Sequence, residues 1–209
     1  MSTTRDDLAR SLADVRRAYR LVQLYHRRLC DLLQTVDDTL TRGGLEFDRW
    51  DPQNVARLPK AGKPFFRPEH WAWDLTPAYQ VRCSWEQATK GQSRRVDLDL
   101  IADTGFAPTG EGEPDPGAFV DAERSATELH VGLWTARAKR AAWGEAWTRL
   151  EAFQDVFDGK PHTVDIDGVG HTFRHLRVDV ADLVDAQAMK ARLLDPIEQW
   201  LREPGSAAV

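Results

Sequence analysis

The apolar positions near the start of the chain repeat with the period of an α-helix. They recur in alternating steps of four and three residues, and His26 occupies the one polar position of the series. This is the a/d pattern of a heptad repeat, which places the side chains in one seam along a helix. The pattern predicts one helix from about Thr4 to Arg42, ended by Gly43 and Gly44. The seam consists of Leu8, Leu12, Val15, Tyr19, Val22, His26, Leu29, Leu33, Val36 and Leu40.

The predicted helix is long for a chain of 209 residues. At 1.5 Å per residue it would measure roughly 58 Å. A compact globule of this chain length has a diameter of about 43 Å. The helix is therefore expected to extend past the body of the protein, to bend around it, or to pair with another helix. Seam residues that we expect to mediate such pairing are Leu12, Tyr19, His26 and Leu33.

Residues 45–77 combine many prolines with many aromatic residues. The prolines argue against a long regular element, and the aromatic residues argue against a solvated linker. We interpret the segment as an extended strap that wraps the domain. Its Trp71 and Trp73, together with Trp134 further along, are candidate interaction residues, because tryptophan is enriched at interface hot spots.

Apolar and polar residues alternate with the period of a β-strand after this segment. Residues 79–86 and 96–103 predict a hairpin, 127–135 predict a third strand, and 163–167 and 171–180 predict a second hairpin. An apolar stripe predicts a second helix over about 136–157. A last helix is expected to begin near Asp185 and to break or kink at Pro196.

This order of elements predicts an α+β fold. It has a long N-terminal helix, a largely antiparallel sheet of about five strands and two further helices, with the helices on one face. The segments divide as 1–44 for the helix, 45–77 for the strap and 78–204 for the sheet with its helices, which together form a single domain.

Composition narrows the class of protein. The two cysteines exclude a disulfide framework, and no apolar run approaches the length of a membrane span. The polar, acidic N-terminus lacks the features of a secretory signal, so we expect a cytoplasmic protein. Its Arg-over-Lys and Ala-rich usage is typical of a bacterial source. The net charge of -5 makes general attraction of nucleic acid unfavourable.

Three aspartates are the candidate metal ligands. Asp97, Asp99 and Asp103 are spaced to lie on one side of a strand, and clustered carboxylates bind Mg²⁺ in phosphoryl-transfer enzymes. The simpler interpretation is a solvated outer face, since strand alternation alone requires polar residues there. His130, His162, His171 and His175 lack the spacing of a zinc site and are interpreted as surface residues.

A band of arginines on the helix is the candidate basic surface. It comprises Arg16, Arg17, Arg20, Arg27 and Arg28. Such a band suits a solvated face, an acidic protein partner or, less well, nucleic acid, because the tryptophans do not interleave with it.

These patterns favour a non-enzymatic interaction module or accessory subunit that pairs through its N-terminal helix, as a coiled coil with its own copy or with another protein. Covalent catalysis has no nucleophile in a recognisable setting, and no cofactor is implied. Two alternatives stay open: a metal-dependent phosphoester hydrolase or nuclease that uses Asp97, Asp99 and Asp103, and a nucleic-acid-binding accessory protein that uses the arginine band.

Overall fold

The computed structural model describes residues 4–52, 79–105, 119–138, 141, 143–149 and 155–203. Its contacts divide the chain into two compact units, Met1–Arg42 and Gly43–Val209. The first is the N-terminal helix, and the second contains the sheet. The predicted α+β class is confirmed.

The N-terminal helix α1 runs over Arg5–Arg42, within one residue of its predicted bounds. Thr4 and Asp7 cap its first turn reciprocally: the Asp7 amide donates to Thr4 Oγ1 at 3.2 Å, and Thr4 donates to Asp7 Oδ2 at 2.6 Å. These bonds from Thr4 lower the pKa of the Asp7 carboxyl. The buried residues of α1 lie towards its C-terminal end, from Leu29 to Leu40.

The described strands are β1 Glu46–Pro52, β2 Gln80–Thr89, β3 Gln92–Ile101, β4 Glu128–Ala136, β5 His162–Ile166 and β6 Val169–Asp179. They form one six-stranded antiparallel sheet in the order β1-β2-β3-β4-β6-β5. Two of its turns contain glycine with positive φ. Gly91 closes the β2–β3 hairpin at 95°, and Asp167 and Gly168 close the β5–β6 hairpin at 52° and 79°.

The strand β1 corrects the sequence prediction, which had about five strands and no regular element at its position. A bulge between Phe47 and Arg49 interrupts the alternation, so that Phe47 and Trp50 oppose Trp85 and Cys83 on the same face. Pro52 ends this edge strand, where proline is tolerated. Residues 53–77 of the predicted strap lie outside the described residues.

Each face of the sheet carries helical structure, whereas the sequence analysis expected helices on one face. On the first face, buried Leu98 and Val131 oppose one another between β3 and β4. Arg94 shares this face by register, and its Nη1 donates to the carbonyl of Leu201 at 3.0 Å in the C-terminal helical segment. On the second face, Ala146 of helix α2 (Trp143–Arg149) packs in a cluster with Trp134 and Phe173.

The predicted helix over 136–157 is not helical at either end in the described residues. Ala136 is still part of β4, where it pairs with both Ser93 and His171, so the ladder bonds outweigh the helical pattern there. At the other end, residues 155–157 are not helical.

The C-terminal helical segment begins where predicted, with the Asp185 side chain accepting from the Ala188 amide. It comprises α3 Ala186–Met189, a π-helical turn Lys190–Leu194 and α4 Asp195–Arg202. The Asp195 amide bonds to the Lys190 carbonyl, five residues back. The sequence predicted a break or a kink at Pro196. The wider turn lets the chain continue as a helix through this residue rather than break there.

Candidate functional site

The N-terminal half of α1 presents its seam to solvent. Leu8, Leu12, Val15 and Tyr19 are 54%, 47%, 49% and 65% exposed. They are consecutive a/d positions of the heptad repeat, so the exposure forms one continuous stripe rather than scattered single residues. We call these four residues the exposed seam. Large exposed apolar stripes of this kind mark interaction surfaces.

The seam changes character towards the C-terminal half of α1. His26 and Leu33 are half-buried, and Leu29, Val36 and Leu40 are buried. Of the predicted interaction residues on the helix, Leu12 and Tyr19 therefore lie in the exposed seam, whereas His26 and Leu33 lie beyond it.

His26 occupies an a position with its Nε2 buried, and this nitrogen has no hydrogen-bond partner among the described residues. The neighbouring Tyr25 hydroxyl is also buried without a hydrogen-bond partner among the described residues. Burial raises the pKa of Tyr25 to about 12. The two rings lie 5.6 Å apart. A polar residue at an a position restricts the register of helix pairing, at some expense in stability.

Leu21 and Leu24 form a second exposed pair on α1, at 66% and 63%. At 3.6 residues per turn they lie on the side of the helix opposite the exposed seam. Leu21 and Leu24 are apolar and exposed like the seam residues, but they are not part of the heptad repeat. They therefore serve as a matched control for substitutions in the exposed seam.

All five arginines of the predicted basic band are exposed. Arg17 pairs with Asp14 at 2.7 Å, which reduces the net charge that the band presents. The band comprises Arg16, Arg17, Arg20, Arg27 and Arg28.

The three tryptophans predicted as interaction residues are not brought together at a described surface. Trp134 is 2% exposed and stacks at 4.3 Å from the Phe173 ring, which places it in the core of the second sheet face. Trp71 and Trp73 lie outside the described residues. Trp50 is 59% exposed on the edge strand β1.

The aspartates predicted as metal ligands each accept hydrogen bonds from other residues of the same chain. Asp99 accepts two hydrogen bonds from Arg82, at 2.6 and 2.7 Å, and Asp97 accepts from Ser84 and Arg95. Asp103 follows the end of β3 and accepts from the Gly105 amide at 2.7 Å. Within the described ranges, no group of three or more His, Cys, Asp or Glu side chains is placed to hold a metal ion.

Arg82 and Arg95 were not predicted from the sequence as site residues. They extend the aspartates into a charged network on the second face of β2 and β3, in which Arg95 also reaches Glu86 at 3.0 Å and Ser84 at 3.0 Å. Hydrogen bonds to Asp99 hold the pKa of Arg82 above its usual value. The register Arg82↔Asp99 and Ser84↔Asp97 creates these contacts. The predicted hairpin implied such pairs, but its turn length was needed to identify them.

A cavity of about 200 Å³ lies beside this network. Its other side is aromatic, because α2 and the second face of β4 and β6 meet there. The lining residues are Arg82, Arg95, Asp97, Asp99, Gly132, Trp134, Trp143, Gly144, Phe173 and His175.

The histidines of β6 are buried, which corrects their interpretation as surface residues. His171 and His175 are 1% and 5% exposed. The His171 Nδ1–H donates to the Val169 carbonyl at 2.9 Å, and His175 packs 4.2 Å from the Phe157 ring. The alternation of the β6 side chains between the two faces of the sheet was predicted correctly. Both faces of β6 are covered, however, so the two histidines of this strand are buried as well.

The structure defines an α+β protein with a long amphipathic helix and a six-stranded sheet. A family comparison matches residues 5–200, and the chain belongs to the PM0109 family. No curated protein and no solved structure matches it. None of the helices in the described ranges has both the length and the apolar character needed to cross a membrane.

Proposed function

We propose that this protein is a non-enzymatic interaction module that associates with a second copy of itself through the exposed seam of α1. The observation that carries the proposal is the exposure of four consecutive heptad positions, Leu8 to Tyr19. An unpaired helix with this repeat leaves its apolar stripe in water. Pairing with an equivalent stripe buries this apolar surface.

The residues flanking the exposed seam support close pairing of two identical helices. Ala9, Ser11 and Ala18 occupy e and g positions, where their small side chains allow two backbones to approach. Arg16 is the only charged residue at the e and g positions beside the exposed seam. The flanks therefore offer no pattern of opposite charges that would select a different partner. A self-complementary stripe of this kind suits a two-fold symmetric dimer.

The arginine band is the main competing surface. It is exposed, but Arg17 is paired with Asp14 and the whole chain has a net charge of -5. These facts weaken the attraction for a polyanion, so they favour the apolar seam over nucleic acid as the principal binding surface.

Paired substitutions in the exposed seam test the proposal. We expect Leu12→Glu combined with Tyr19→Glu to convert the associated species to a monomer in sedimentation velocity, because charges would be buried in the seam. The matched control is Leu21→Glu with Leu24→Glu, on the opposite side of the same helix, which should leave association unchanged.

The control also separates loss of pairing from loss of the helix. Circular dichroism should show the same helical content in both double variants at the lowest concentrations. If the control pair abolishes association as fully as the seam pair does, or if neither affects it, the seam is not the interface.

A further inference from the structure

The cavity on the second face of the sheet has two chemically distinct walls. Arg82 and Asp97 belong to the polar wall, on β2 and β3, whereas Phe173 and Trp143 belong to the aromatic wall, on β6 and α2. At about 200 Å³ the cavity is smaller than the roughly 300–1,000 Å³ of sites for drug-sized ligands. A single ring or a fused pair of rings is the size of occupant that it suits.

The polar wall retains a donor and an acceptor next to each other. Arg95 makes one hydrogen bond from each of its three nitrogens. A guanidinium carries five N–H groups, so two remain. Asp97 accepts both its bonds at Oδ1, and its Oδ2 has no hydrogen-bond partner among the described residues. Arg95 Nε bonds to Asp97 Oδ1 at 2.8 Å, so the two side chains that carry the remaining groups are adjacent.

The charges of the polar wall compensate one another. Two guanidiniums and two carboxylates line the cavity, and each is paired across or along the strands. An anion would meet Asp97 and Asp99, and an ammonium group would meet Arg82 and Arg95. The wall therefore favours an uncharged ligand.

The aromatic wall leaves one ring accessible. Trp134 and Phe173 are 2% and 1% exposed, whereas Trp143 is only partly buried. Gly144 follows Trp143 at the edge of the cavity, and a Cβ added there would meet no atom within 4 Å. The glycine keeps the approach to the Trp143 ring open. An aromatic surface facing a single polar wall suits a flat ring better than a sugar, whose hydroxyl groups need partners around the whole ring.

We propose that this cavity binds an uncharged planar heterocycle whose edge carries a hydrogen-bond donor beside an acceptor, which is the chemistry of a nucleobase. The ring packs against Trp143, and its polar edge faces Arg95 and Asp97. A ring acceptor of the base accepts from the guanidinium, and the neighbouring N–H group of the base donates to Asp97 Oδ2. Nothing in this site depends on association through α1.

The test measures binding of free cytosine and free adenine to the full chain by calorimetry, with glucose, choline and inorganic phosphate as comparators. We expect at least one base to bind and the comparators not to. Gly144→Phe should weaken that binding by more than about tenfold, since the new ring fills the approach to Trp143. The matched control, Gly144→Ala, should retain it.

A second variant keeps the test decisive if Gly144→Phe fails to fold. Asp97→Asn keeps the shape of the side chain but replaces one acceptor oxygen by a donor, and it should weaken binding of the same base. The proposal is overturned if neither cytosine nor adenine binds. It is also overturned if binding of the base is unchanged in both variants. Preferential binding of glucose, choline or phosphate overturns the assigned ligand class.

Discussion

Individual residues set the local conformation at positions where their chemistry differs from that of their neighbours. Asp167 and Gly168 adopt positive φ in the β5–β6 turn, at 52° and 79°. Such angles suit the right-handed twist of a two-residue hairpin, and glycine adopts them without strain. Gly144, by contrast, lies in a helix with open space around it, so its lack of a side chain is not a steric requirement.

Alanine substitutions at these two glycines should have opposite effects. We expect Gly168→Ala to lower the free energy of unfolding by about 1 kcal/mol, because alanine is strained at positive φ. Gly144→Ala should instead raise it by up to about 1 kcal/mol through helix propensity. Urea denaturation measures the free energy of unfolding of both variants. If Gly144→Ala lowers this free energy as much as Gly168→Ala does, the two glycines do not differ in the way described.

The two cysteines differ in the environment of the thiol. Cys83 is buried, whereas Cys30 is exposed on α1. Burial raises the pKa of the Cys83 thiol from its ordinary value of 9.0 to about 11. Folding therefore favours the neutral form of the Cys83 thiol. The contribution of this thiol to stability is fully present below its ordinary pKa and is lost as the pH rises through its pKa in the folded protein.

Thiol labelling of the native protein should therefore modify Cys30 quickly and Cys83 slowly at neutral pH, since the thiolate is the reactive form. Cys30→Ser should remove the fast phase, and Cys83→Ser should leave it intact. A fast phase that persists in Cys30→Ser would show that the Cys83 thiol is accessible and ionised.

Among the elements, β2 and β3 are joined by charges as well as by the backbone ladder. The two bonds from Arg82 to Asp99 bridge the strands, and the side chains are 28% and 17% exposed. A two-bond ion pair at this depth is held more rigidly than a surface pair. The exposed Arg192–Asp182 pair, at 58% and 49%, provides the comparison.

Removing the cation from each pair should distinguish them. We expect Arg82→Met to lower the free energy of unfolding by about 2 kcal/mol, because Asp99 loses both hydrogen bonds while partly buried. Arg192→Met should change it by less than about 1 kcal/mol. Chemical denaturation measures both, and equal small changes would mean that the Arg82 pair adds nothing beyond the backbone ladder.

Much of the element order follows from local patterns in the sequence. The heptad steps of α1 and the alternation in β2, β3 and β4 were each sufficient to predict their elements. The bulge in β1 and the late start of α2, after the strand residue Ala136, were not predictable, because they depend on pairing with distant strands. The cavity was missed for the same reason: its Arg82, Asp97 and Phe173 meet only once the register is set.

At the scale of the whole molecule, the chain separates into a helical unit and a sheet unit. The helical unit keeps four consecutive seam positions in solvent. The heptad pattern predicted the seam residues but not which of them would be exposed, because the repeat is apolar along almost its whole length. We therefore propose that the length of α1 serves association rather than the stability of a single chain.

The molar mass of the full-length wild-type protein, measured by light scattering over a dilution series, tests this claim most directly. A dimer of the 23.7 kDa chain should give twice that mass at high concentration and fall towards the chain mass on dilution. The Leu12→Glu, Tyr19→Glu variant should give the chain mass throughout. A wild-type protein that stays at the chain mass at every concentration would contradict association through the exposed seam.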